Sequence, residues 1–248
     1  MVYVIGEMTE SRQWGKTSTF GPRQWFRQRL MLKELKKYLP QGKVLDAGCG
    51  EGRMLRLLAE KGYQVVGMDL SRESLLRAQK QNPNAPLVLS DLESLPFSPE
   101  SFDGVISGEV LEHLEDDERA VQEFHRVLKK GGIAIITVPA HPELWSLDDQ
   151  WSGHKRRYKK EELEKLFEKN HFQTLSCYYW GFPLLRIYYQ FFYPRWLKKK
   201  LQKEDINKVS GFQPQKNFEF IFNFALCLDQ LFLGKSGGIG IIGIFYRV

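Results

Sequence analysis

Three short apolar runs, each closed by an aspartate and followed by a segment of helical period, restrict this chain more than any other feature. Val44-Leu45 ends at Asp46, Val65-Val66-Gly67-Met68 at Asp69, and Leu87-Val88-Leu89-Ser90 at Asp91. Runs so short and so apolar suit strands covered on both faces, and their alternation with helices suits a parallel sheet. Parallel strands end on one edge, and ligands of open α/β sheets bind outside that edge. Three carboxylates are therefore expected to face one crevice.

The first run feeds a turn of alternating glycines, Gly48-Cys49-Gly50-Glu51-Gly52, and then Arg53-Met54-Leu55-Arg56-Leu57-Leu58, whose spacing predicts a helix. Glycine permits positive φ and close approach of a ligand, and the first helical turn offers N–H groups to an acceptor. A dinucleotide fingerprint would need its third glycine where Arg53 stands. Asp46 is also poorly placed beside a pyrophosphate and well placed beside a cation. Asp69, about twenty residues beyond Gly50, sits where βαβ units present an acid to ribose hydroxyls. These residues alone leave open a glycine turn without a ligand, a nicotinamide-dependent oxidoreductase and a non-catalytic cofactor-binding or membrane-docking module.

The run Asp46-Ala47-Gly48-Cys49-Gly50-Glu51-Gly52, the stretch from Leu95-Pro96-Phe97 to Ser101-Phe102-Asp103, and Glu109-Val110-Leu111-Glu112-His113 together resemble the class I S-adenosylmethionine-dependent methyltransferases. The resemblance implies an α/β, Rossmann-like fold: a seven-stranded, mostly parallel sheet with helices on both faces. It implies S-adenosylmethionine as cofactor, contacted by Arg29, Asp46, Gly48, Cys49, Gly50, Asp69, Leu70, Asp91, Leu92, Gly108 and Glu109. Asp69 would hold the ribose and Asp91 the adenine amino group. Arg29, in the segment Trp25-Phe26-Arg27-Gln28-Arg29, would pair with the cofactor's carboxylate, unless it is simply solvated on a basic helix. His113 is the first candidate general base, with a backbone-bonding role as the alternative. Glu109 and His113 are four apart, a spacing that suits two metal ligands, but no third ligand is in view and no metal is expected.

Beyond the apolar run Ile133–Val138, the loop Ala140-His141-Pro142-Glu143-Leu144-Trp145-Ser146 continues to Gly153-His154-Lys155-Arg156-Arg157-Tyr158. It leaves the carboxyl end of a predicted strand and so opens onto the same crevice. Within it Trp145 is expected to wall a substrate pocket and Asp149 to share a proton with His154, a second catalytic candidate. Arg156 and Arg157, with Tyr158, are expected to hold an anionic substrate group. A basic run that is only a solvated face is the competing reading.

The expected organisation is a polar arm over residues 1–20, a core over 21–180, a helical insert over 181–236 and a last strand over 237–248. The insert separates two strands that the resembling family joins by a hairpin. Its aromatics beside Lys198-Lys199-Lys200 fit either a lid over the substrate or peripheral contact with acidic lipid. The net charge of +6 admits an acidic partner. With no RNA or DNA module in the pattern, nucleic acid is not expected, and the partner is taken as a small-molecule or lipid-linked substrate. Three cysteines without disulfide or zinc spacing, and no signal-peptide layout at the start, point to the cytoplasm, with the inner membrane face as the peripheral site.

Overall fold

The computed structural model describes residues 2–4, 21–201 and 228–248. A helix α1 (Pro22–Tyr38) precedes β2 (Lys43–Ala47), α2 (Arg53–Ala59), β3 (Gln64–Asp69), α3 (Arg72–Gln81), β4 (Leu87–Leu89) and β5 (Phe102–Gly108). Then come α4 (Asp117–Val127), β6 (Leu128–Pro139), α5 (Leu147–Ser152), α6 (Lys160–Lys169) and β7 (Phe172–Trp180). The helical pieces α7 (Leu184–Ile187) and α8 (Tyr193–Leu201), and finally β8 (Gly240–Arg247), complete the chain. The seven expected strands are present, and Val2–Val4 adds a short β1 that pairs in parallel with β4. That strand lies inside the segment expected to be an arm; the rest of 1–20 lies outside the described residues. So does the middle of the insert, residues 202–227, with Cys227.

The sheet runs β1-β4-β3-β2-β5-β6-β8-β7, parallel except where β8 pairs antiparallel with both β6 and β7. Because β2 lies between β3 and β5, strand order reverses beside it, and that switch point opens the crevice. Period-two alternation builds a core on each face. Leu45, Val105, Ala134, Ile136 and Val138 pack with Phe124 and Phe167 on one side. Val44, Ile106, Ile133 and Ile135 pack with Phe26, Leu30, Met31 and Leu35 of α1 on the other. Side-chain caps fix two helix starts: Ser71 caps α3 by accepting from the Ser74 N–H at 3.2 Å, and Asp116 caps α4.

The insert continues α7 through a π-helical turn, Tyr188–Phe192, into α8. Tyr193 and Leu197 pack against Leu147 and Trp151 of the loop helix α5. Asp229, fully buried, accepts from the Leu184 and Leu185 N–H groups at 2.8 and 3.0 Å, joining the two ends of the insert.

Candidate functional site

At the crevice the glycine turn takes left-handed backbone at three positions, Gly48 (φ 82), Gly50 (φ 53) and Gly52 (φ 77), a conformation that L side chains avoid. At Gly50 a Cβ would meet nothing within 4 Å, so open space lies beside that peptide. A Cβ at Gly48 would instead strike Val110 at 2.4 Å, so the segment after β5 closes tightly on the turn. The strand register, Ala47 opposite Met68 and Asp69 opposite Leu89, puts Asp46, Asp69 and Asp91 on the same carboxyl edge.

Asp69 accepts from the Gly50 N–H and the Ser71 N–H, both at 2.8 Å, and so braces the turn with one bond on each oxygen. Burial raises its pKa, and those N–H bonds offset part of the rise. Asp46 is only 4% exposed, and its Oδ2 is buried without a hydrogen-bond partner. Burial first, and Asp69 second, push its carboxyl up to about 7, with Arg27 opposing. An orphaned carboxylate oxygen at the end of the strand that feeds the glycine turn fits a ligand that brings positive charge, as S-adenosylmethionine would. Each Asp69 oxygen retains a lone pair for a ribose hydroxyl. Cys49 contributes only backbone here, because its N–H bonds the Met68 carbonyl at 2.8 Å and its thiol is buried with Leu55, Leu75 and Leu87. Leu70 follows Asp69 half-buried, Leu92 is buried in the core beside Val88 and Leu95, and Asp91 accepts from the Glu93 N–H at 3.1 Å.

The helix α1 corrects one expectation. Arg29 is exposed, its guanidinium 4.6 Å from the Trp25 ring centroid, and does not face the crevice. Its neighbour two residues earlier does. Arg27 reaches Glu109 at 3.6 Å, and its Nε would lie 3.4 Å from a Cβ at Gly108. Arg23 bridges Glu109 at 3.3 Å and Asp148 at 3.5 Å, with Tyr189 of the insert stacked 5.1 Å from its guanidinium carbon. Burial raises the Glu109 pKa, but Arg27 and Arg23 outweigh it and hold the carboxyl below its ordinary value. Glu109 and His141, at the ends of β5 and β6, both adopt positive φ (60° and 62°) without being glycine, so backbone strain collects at this edge.

The loop after β6 brings His154 to His113, ring centroids 4.7 Å apart. His154 shares a proton with Asp149 through Nδ1 at 2.8 Å, and the Lys155 N–H bonds the Glu112 carbonyl at 2.8 Å, clamping loop to turn. The sequence reading paired Asp149 with His154 but passed over Glu112, whose fully buried side chain lies between the two imidazoles. Burial, reinforced by Glu109, raises its pKa well above the ordinary value.

The three residues expected to hold substrate hold the loop instead. Arg157 grips Asp149 in a two-pronged pair at 2.7 and 2.9 Å and also donates to the Ala140 carbonyl. Arg156 donates to the Leu114 and Glu115 carbonyls and pairs with Asp117 at 2.9 Å. Tyr158, buried, donates to Asp117 at 2.6 Å. Three N–H donors of each guanidinium and the Tyr158 hydroxyl hydrogen thus go to protein partners, which commits these side chains to the loop. Trp145 is 42% exposed on the outer part of the loop.

Residues 45–136 match the family described as a methyltransferase domain. A malonyl-[acyl-carrier protein] O-methyltransferase of Hamiltonella defensa is 31% identical over 140 residues, 54% of each chain. A demethylmenaquinone methyltransferase of Chlorobaculum tepidum is 40% identical over 101 residues, 40% of this chain and 42% of that one. The chain thus spans about half the length of the curated relatives it matches. Among solved structures, an S-adenosylmethionine-dependent methyltransferase from Mesorhizobium loti superposes with a TM-score of 0.61 at 17% identity, covering 92% of this chain and 100% of that one. Phosphoethanolamine N-methyltransferase 2 of Haemonchus contortus, solved in complex with S-adenosyl-L-methionine, gives 0.58 at 21% identity, over 88% of this chain and 52% of that one. At those identities the superpositions establish the fold.

Proposed function

We propose, from the match of residues 45–136 to the methyltransferase domain family, that the chain transfers a methyl group from S-adenosylmethionine to a small-molecule or lipid- or glycan-linked acceptor. The observation that carries the reading is the unpartnered Asp46 oxygen beside the open glycine turn. When bound, S-adenosylmethionine supplies a methyl group on a positively charged sulfur, already a strong electrophile. What remains for the chain is alignment, exclusion of water and removal of one proton from the acceptor. Asp69, Asp91 and the glycine turn bind the nucleoside, while Arg27, rather than Arg29, is the cation facing the crevice that answers the carboxylate end. The His113–His154 pair, at the mouth of the loop after β6, takes the acceptor's proton; Asp149 accepts the His154 Nδ1–H and so fixes which nitrogen carries it. Relatives named for malonyl-[acyl-carrier protein] and for demethylmenaquinone support an acceptor held on a larger carrier or a lipid.

Titration calorimetry with S-adenosylmethionine, its demethylated product and NAD tests the donor. Micromolar binding of the first two is expected, with a loss of at least about tenfold in Asp69→Ala, since both ribose bonds and the turn's brace go. Preference for NAD would end the reading.

The insert favours a lipid surface for the acceptor. Phe191 and Phe192 are 51% and 63% exposed and sit beside exposed Arg195, Lys198 and Lys199, rings for the headgroup zone next to cations for acidic lipid. Among the described residues no helix is long and apolar enough to cross a membrane, and the contact proposed is a peripheral one. Sedimentation with anionic vesicles is expected to carry down the protein, and Lys198→Glu with Lys199→Glu to release most of it. Equal sedimentation with neutral and anionic vesicles would remove the electrostatic part of the proposal.

A further inference from the structure

We propose that Glu112, His113 and His154 form a binding site for a divalent first-row transition-metal ion at the acceptor end of the crevice. One ligand atom from each lies within 4.8 Å of the others. Glu112 is fully buried, and neither of its carboxylate oxygens has a hydrogen-bond partner. A buried carboxylate left bare on both oxygens is costly, and a cation is what relieves it.

The two imidazoles are already turned for the task. Asp149 sits 2.8 Å from His154 Nδ1 and the Gly153 carbonyl 3.3 Å from His113 Nδ1. A carboxylate and a carbonyl only accept, so each Nδ1 carries the proton and Nε2 is the unprotonated nitrogen of the neutral ring. Those Nε2 atoms lie 3.8 Å (His154) and 3.9 Å (His113) from Glu112 Oε1. Such separations are too long for hydrogen bonds. Ligand atoms about 2.1 Å from a tetrahedral ion stand roughly 3.4 Å apart, so side-chain adjustments of under about 1.5 Å would complete the set. The Asp149–His154 contact is the carboxylate–histidine support that metal-ligating imidazoles ordinarily have.

The sequence paired His113 with Glu109, four residues earlier, and found no third ligand, whereas the acid that the structure sets beside His113 is Glu112. The third arrives from a loop some forty residues later, pinned to the Glu112 backbone by the Lys155 N–H. One carboxylate with two imidazoles selects Mn²⁺, Fe²⁺, Co²⁺ or Zn²⁺ over Mg²⁺, and three protein ligands leave a coordination position open toward the acceptor. The inference rests on the reading of this end as the acceptor side. With an ion in place, the two histidines would hold it instead of accepting the acceptor's proton, and its charge would lower the pKa of an acceptor hydroxyl so that the proton leaves to solvent water.

The test is a Co²⁺ titration of chelator-stripped protein without cofactor, followed by visible absorption and competed with Zn²⁺ and Mg²⁺. One equivalent of Co²⁺ should bind, be displaced by Zn²⁺ and not by equimolar Mg²⁺. Glu112→Gln, which preserves shape, and His113→Gln, a partly exposed position, should each weaken it at least about a hundredfold, with folding checked by circular dichroism. Absence of a stoichiometric Co²⁺ spectrum, or one unchanged in both variants, overturns the site. Donor binding is measured separately by calorimetry on the same stripped protein, so a protein that binds S-adenosylmethionine but no Co²⁺ sinks the metal alone.

Discussion

Asp149→Ala is expected to be among the most destabilising single substitutions in the chain, costing about 3–5 kcal/mol and lowering the melting temperature by roughly 10 °C. Five donors converge on this fully buried carboxylate. They are Arg157 Nε at 2.7 Å and its terminal nitrogen at 2.9 Å, His154 Nδ1 at 2.8 Å, the Ser146 N–H at 2.7 Å and the Ser146 hydroxyl at 3.0 Å. Burial alone would raise its pKa, but the His154 and Arg157 bonds reverse that and hold the carboxyl well below the ordinary range. Removing it strands a guanidinium whose side chain is only 9% exposed, and opens the cap of α5. The cost is thus mostly that of an unpaired buried charge, which a second change can relieve. Asp149→Leu combined with Arg157→Met should recover more than half of the loss, giving a coupling of about 2 kcal/mol or more in a double-mutant cycle. Single-variant losses below about 1 kcal/mol would show that water replaces these bonds and that the loop does not depend on them.

That pair also shows where reading the sequence stops. The strands ending at Asp46, Asp69 and Asp91 were legible because burial on both faces leaves a local trace, an unbroken apolar run before an acid. The roles of Arg156, Arg157 and Tyr158 were not, because a side chain's partner leaves no such trace. A basic run at a strand's carboxyl end reads as an anion clamp until the fold supplies Asp117 and Asp149. Arg29 fails for a different reason. Trp25 and Leu32 blur the apolar stripe of α1, whereas Phe26, Leu30, Met31 and Leu35 are the residues that bury. At about 100° per residue their face includes positions 23, 27 and 34 and leaves 29 on the far side. Careful phasing would have selected Arg23 and Arg27. Glu112 had a weaker signal, an acid directly before the candidate histidine, and its burial depends on the loop that folds back over it.

Asp46→Asn is expected to move two quantities in opposite directions, both only at higher pH. A carboxyl raised to about 7 stays protonated in the fold while the unfolded chain ionises near pH 4. Below about pH 4 both states carry the proton and the residue contributes nothing. Between about pH 4 and 7 the unfolded chain gives up its proton first, so the ligand-free fold loses stability as pH rises, reaching on the order of 4 kcal/mol above pH 7. Asparagine removes that penalty, so the variant should melt above wild type at pH 8 and level with it at pH 4. Donor binding runs the other way. The groups facing Asp46 are Asp69 from β3, which disfavours its ionisation, and Arg27 from α1, which favours it. A cationic donor tips that balance toward the carboxylate, so binding below pH 7 must expel a proton, and affinity should fall by up to about tenfold per pH unit beneath it. Calorimetry in two buffers of different ionisation enthalpy measures that proton directly at pH 6, and Asp46→Asn should abolish both the release and most of the affinity. A wild-type affinity flat from pH 6 to 8 would mean that donor binding leaves the protonation of Asp46 unchanged, and its unpartnered oxygen would then need another explanation. The opposed signs are what a binding site built from buried like charges should produce: stability withheld from the empty fold and returned when the cation arrives.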